Sequence, residues 1–129
     1  MNEHVNPQSV YPPLGAYSQT VRVPRDAEWL VIAGQVGMTR QGRLAVGIEK
    51  QAEQAFRNVL ACLGANKMGK QDLVKFSVYL TDSRHVAAYR TARLKVIGDD
   101  VLPTSTLVIV NGLASPDMLI EVEAWAARA

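Results

Sequence analysis

The chain has 129 residues, 48% hydrophobic and 20% charged, and its 14 basic against 12 acidic side chains leave a formal charge of +2. That length suits one domain, residues 1–129, burying roughly two thirds of the surface its unfolded chain exposes. Cys62 is the only cysteine and no Cys/His cluster stands at ligand spacing, which argues against a disulfide scaffold or structural zinc and calls for no metal or cofactor.

The basic residues are scattered from Arg22 to Arg128 without a run, so no nucleic-acid partner is expected. No apolar stretch approaches the ~20 residues of a membrane helix, so no membrane partner is expected either. Met1 to Pro13 is polar and proline-bearing and reads as a flexible tail. It lacks the basic-then-apolar order of a secretory signal, and a cytoplasmic location follows as the expectation.

Tyr17 to Val23 alternates as a strand, and Pro24-Arg25-Asp26 supplies the turn after it. Trp29-Leu30-Val31-Ile32-Ala33 is apolar on both faces, which suits a strand covered on both sides, and Gly34 ends or bends it. Gly42 to Gly47 forms a short third strand in this reading. The period then changes. From Glu49 to Leu63, Ala52, Ala55, Phe56, Val59, Leu60 and Leu63 recur at helical spacing, with Glu53, Gln54 and Arg57 outside and Gly64 as the stop.

Val74, Phe76, Val78 and Leu80 alternate with Lys75, Ser77 and Tyr79, giving a strand with one core face. Asp82 or Ser83 caps a second helix that runs to Ile97 and ends at Gly98. Thr106 to Val110 and Leu119 to Ala126 complete the sheet, separated by the turn formers Asn111-Gly112 and Ser115-Pro116-Asp117. The order is that of an α+β domain. Two helices cover one face of such a sheet, yet the strands offer apolar side chains to both, so the second face is expected to meet another subunit.

Four short motifs stand out in combination: Gly15-Ala16-Tyr17-Ser18-Gln19, Gly34-Gln35, Pro103-Thr104-Ser105-Thr106 and Ile120-Glu121-Val122-Glu123-Ala124. With them the chain resembles the Rid family, the YjgF-like imine and enamine deaminases, from Gly15 to Ala126. The resemblance implies a chorismate-mutase-like α+β fold with a mixed sheet and two helices on one face. It also implies a homotrimer whose sheets pack inward as a barrel, with small-molecule metabolites bound in the subunit clefts.

On this chain the pocket positions of the family fall at Tyr17, Gly34, Ser105 and Glu121. The family reaction is hydrolysis of a 2-imino or enamino acid to the 2-oxo acid and ammonia. An arginine grips the substrate carboxylate, and a positioned water attacks the imine carbon with the glutamate orienting it. Ser105 stands where active members carry that arginine. A hydroxyl offers one donor and no charge, so turnover of ordinary iminopropionate is expected to be weak.

Glu121 and Glu123 share one side of the last strand with Leu119 and Trp125. The motif assigns the catalytic role to Glu121, and Glu123 reads as solvent-facing. Arg90 and Arg93 fall on the same helical stripe as Val86, Tyr89, Val96 and Ile97. Either arginine could replace the missing cationic anchor; equally, both could cover apolar surface or pair with Glu49 or Asp99. Ser105 and Thr106 read as hydrogen-bond donors to a ligand or as a strand-entry cap, since no histidine pairs with them to activate a nucleophile.

His4 falls in the tail and His85 in the first turn of a helix, both with solvated roles. Cys62 reads as a small, partly buried thiol. Leu107 occupies the place where many relatives carry a cysteine, making the pocket wall more apolar. Three functions remain open: an imine or enamine deaminase of altered preference, a non-catalytic metabolite-binding or regulatory trimer, and a ribonuclease or translation inhibitor. The absence of a basic stripe counts against the third.

Overall fold

The computed structural model describes residues 1–129. In chain order the elements are β1 (Glu3–Val5), β2 (Thr20–Arg22), β3 (Glu28–Val36), α1 (Ile48–Ala65), β4 (Leu73–Leu80), α2 (Val86–Val96), β5 (Thr104–Ile109) and β6 (Ile120–Arg128). The main sheet has the order β3-β6-β4-β5. β6 runs antiparallel to both β3 and β4, whereas β4 and β5 are parallel. A parallel neighbour demands a crossover, and α2 provides it. α1 makes the corresponding passage from β3 to β4. The result is an α+β fold with a mixed sheet and two helices.

The core lies between the helices and one sheet face. Phe56 of α1 meets Phe76 of β4 edge to face at 5.5 Å and stacks on Tyr89 of α2 at 6.0 Å. Around it Ala52, Ala55, Val59, Leu63, Val78, Leu80, Val122 and Ala124 are buried. Phe56→Ala removes the ring that joins all three elements, a change that typically costs about 3–5 kcal/mol. The opposite face has no helix. There Trp29 and Trp125 pack edge to face at 5.8 Å while remaining 52% and 42% exposed, and Val31 is 61% exposed.

Several elements differ from the sequence reading for local reasons. Residues 3–5, expected within a flexible tail, pair antiparallel with β2 from Glu3↔Arg22 to Val5↔Thr20. The Asn2 amide also donates to the Ala127 carbonyl at 3.1 Å. β2 is shorter than Tyr17 to Val23 because Tyr17 N donates to Gly15 O, a tight loop contact, and Ser18 N donates to Pro103 O. The expected strand from 42 to 47 reduces to one bridge, Met38↔Leu44, between Gly42 and Gly47 with φ of 80° and 86°. Those glycines take the left-handed backbone that breaks a strand. Of the end or bend expected at Gly34 it is the bend that forms: β3 passes through with a register shift between Ile32 and Gln35. α1 likewise passes Gly64 and reaches Ala65.

Two polar residues of α1 are buried against expectation. Glu53, expected on the outside, is 6% exposed and forms ion pairs with Lys95 of α2 and, at 3.7 Å, with Lys50. Gln51 is 2% exposed. Its amide donates to Ala45 O at 3.0 Å and Asp117 O at 2.9 Å, and its oxygen accepts from Leu119 N at 2.8 Å. One side chain thereby ties the 37–47 loop and the approach to β6 onto the helix. No helix is long and apolar enough to cross a membrane.

Gln51→Ala strands two carbonyls and one N–H in a dry environment; the expected loss is about 2–4 kcal/mol, read as a lower urea midpoint. The Glu53 carboxyl is held below its ordinary value of 4.5, chiefly by its hydrogen bond with Lys95. Its ionised form therefore contributes stability that is full above that value and fades as pH falls through the lower, folded one. Lys95→Met should be less stable than the parent at neutral pH, and the difference should shrink below about pH 4.5 when unfolding is measured across the acid range.

Candidate functional site

The first long connection of the chain builds one wall of a cavity. Ser18 N donates to Pro103 O at 3.2 Å, so the 14–18 loop is pinned to the start of β5. Within the loop the Tyr17 phenol folds back and accepts from Leu14 N at 3.1 Å. α2 forms the facing wall. Between them lies a cavity of about 440 Å³ lined by Tyr17, Arg90, Arg93 and Ser105 together with Leu14, Gly15, Ala16, Tyr89, Leu94 and Leu107. Residues distant in sequence, Tyr17, Ser105 and the two arginines, thus converge on one space.

The two arginines differ in what holds them. Arg93 is 3% exposed, and its Nη1 and Nη2 donate to Gly98 O at 2.8 Å and Val101 O at 2.7 Å. It braces the turn that leads from α2 into β5, and burial pushes its proton affinity down. The sequence reading placed it on the inward stripe but did not foresee this bracing role. Arg90 is exposed and lies over Gly15, where a Cβ would meet its Nε at 3.7 Å. Neither arginine pairs with Glu49, Asp99 or any other acid.

Glu121 and Gly34 lie elsewhere. Strand alternation decides this: Ser105 is level with Phe76 on the helix-covered side, whereas Glu121 is level with Tyr79 and Val108 on the open side. Thr106, expected with Ser105 as a ligand donor, is level with Ser77 and so projects to the open side, the side of Glu121. Glu121 and Gly34 instead adjoin each other. A Cβ at Gly34 would overlap Glu121 Oε2 and approach Cδ to 2.7 Å, so the carboxyl group rests where any other residue would place its side chain.

Glu123, expected to face water, is half-buried and accepts from the Tyr79 hydroxyl at 2.7 Å. That hydrogen bond, followed by desolvation and the charges of Glu123 and Glu121, raises the phenol above its ordinary value of 10.0. The alternation with Val78 and Leu80 had already placed Tyr79 opposite the core face, but nothing in the sequence announced its bond to Glu123. Glu121 and Glu123 put two carboxylates on the open face that also carries Trp125.

A family profile described as Endoribonuclease L-PSP matches residues 8–128. A RutC family protein of Pyrococcus horikoshii is 31% identical over 128 residues, covering 98% of each chain. A 2-iminobutanoate/2-iminopropanoate deaminase of Dermatophagoides farinae is 34% identical over 70 residues, 53% of this chain and 52% of that one. Among solved structures, YyfB of Yersinia pestis, a protein of unknown function in the conserved Rid family, superposes with a TM-score of 0.87 at 27% identity over 98% of both chains. Motifs, profile and fold agree, and the chain belongs to the Rid family of YjgF-like proteins.

Proposed function

We propose that this protein binds small imine- or enamine-type metabolites and hydrolyses them to the oxo compound and ammonia. The observation that carries the reading is the convergence of Tyr17 and Ser105 on one cavity, at two of the positions where the family binds its substrates. The deaminase activity named for the mite relative supports the same reaction class. In this reading the working unit is a homotrimer in the cytoplasm. The open sheet face of one subunit, carrying Glu121 over Gly34, meets the mouth of a neighbour's cavity and completes the cleft. Exposed Trp29, Val31 and Trp125 give that face the apolar surface a stable contact uses.

Glu121 then acts as the general base. It accepts a proton from water as the oxygen adds to the carbon of the C=N bond, and returns it to nitrogen. The hydroxyl proton of the resulting carbinolamine then passes by way of the same carboxylate to nitrogen, and ammonia leaves as the C=O bond forms. Tyr17 and Ser105 supply hydroxyls to orient the substrate. No metal or cofactor enters these steps. A non-catalytic, metabolite-sensing trimer is the second reading, and the uncharged Ser105 favours it.

The test generates imines in situ from a panel of amino acids with an amino-acid oxidase and traps the survivors with semicarbazide. Accelerated imine loss supports the deaminase; equal loss with and without protein across the panel transfers support to the sensing role. Glu121→Gln should lower kcat by about 10²-fold or more with ligand affinity retained, the signature of a lost general base. Gly34→Ala should cost the fold about 1 kcal/mol or less yet displace the Glu121 carboxyl, so that activity falls while the thermal midpoint barely moves. Ser105→Arg should raise turnover of iminopropionate, the substrate whose carboxylate a strand-borne arginine grips.

A further inference from the structure

Arg93 is almost wholly withdrawn from water, yet its Nε has no hydrogen-bond acceptor. The terminal nitrogens serve backbone carbonyls, which satisfy donors but bring no counter-charge. Arg90, one helical turn earlier, shares the cavity wall and forms no ion pair. No Asp or Glu lines the cavity, whose remaining surface is Leu14, Ala16, Tyr89, Leu94 and Leu107 with the Tyr17 and Ser105 hydroxyls. Two guanidinium groups therefore bias one apolar space toward an anion with nothing in the wall to neutralise them.

We infer that Arg90, supported by the field of Arg93, forms an anion anchor on α2, and that the cavity selects monocarboxylates bearing a branched apolar side chain. This rests on reading the cavity as the substrate site. The free donors at the cavity are few: the Arg90 fork and the Tyr17 and Ser105 hydroxyls. That set suits the roughly four lone-pair sites of a single carboxylate. With the cation on the helix, the strand wall at Ser105 and Leu107 is left to a larger substituent. Leu14, Leu94 and Leu107 provide the apolar contacts for it, where a short side chain leaves space unfilled.

Calorimetric titration of the intact protein with 4-methyl-2-oxopentanoate, its neutral amide and pyruvate tests this without requiring turnover. The branched acid should bind at least about tenfold tighter than either the amide or pyruvate. Arg90→Gln should erase the preference for acid over amide, and Arg90→Lys should restore part of it. Leu94→Asn should weaken the branched acid and leave pyruvate unchanged. Equal affinity for acid and amide, an unaffected Arg90→Gln variant, or no binding by any of the three overturns the inference. Failure of imine hydrolysis with the acid preference intact would instead count against the deaminase reading alone. Efficient hydrolysis with no preference for the acid would count against the anchor alone.

Discussion

Everything in this domain depends on one aromatic ring being surrounded on every side. Phe56 projects from α1 into the space where β4 and α2 meet, and its contacts with Phe76 and Tyr89 fix both helices against the same sheet face. Once that face is filled, strand alternation assigns every other side chain to the opposite surface. The position of Tyr89, and with it the wall of the cavity, follows from packing in the core. Site geometry is thus a consequence of helix placement, with the 14–18 loop closing the remaining side.

The strongest periodicities were legible. The apolar spacing of Ala52, Phe56, Val59 and Leu63 fixed α1, and the alternation from Val74 to Leu80 fixed β4, because each pattern has one face dominated by burial. The ends were less so. Gly34 read as an end or a bend and Gly64 as a stop; β3 absorbs its glycine in a register shift, while α1 carries its glycine on an exposed turn and runs on to Ala65. Pairing partners were invisible in principle. Nothing local in Glu3-His4-Val5 announces a strand whose partner begins at Thr20, and nothing in Gln51 announces three backbone contacts from two distant loops.

The candidate site was legible by motif, and its division was not. The motifs name Tyr17, Gly34, Ser105 and Glu121 together, whereas the sheet sends Ser105 and Glu121 to opposite faces. The two arginines looked interchangeable as helix neighbours. Their surroundings separate them: the turn after α2 captures Arg93 through two carbonyls, while Arg90 reaches over a glycine that leaves it room. A buried cation that braces a turn and an exposed one with no acidic partner are different devices, and only tertiary context distinguishes them.

The place of β6 in the sheet has a consequence for how the molecule comes into being. The last strand in sequence is an interior strand, inserted between β3 and β4. During folding β3 has no lateral partner in the main sheet until β6 is available. Its pairings, such as Glu28 with Arg128, join residues far apart in the sequence. Non-local pairing of that kind closes large loops before it gains contact energy, which makes assembly of the sheet slow relative to its helices. During that interval the apolar residues of β3 stand on an open edge, the period in which unwanted partners compete most effectively with the native one.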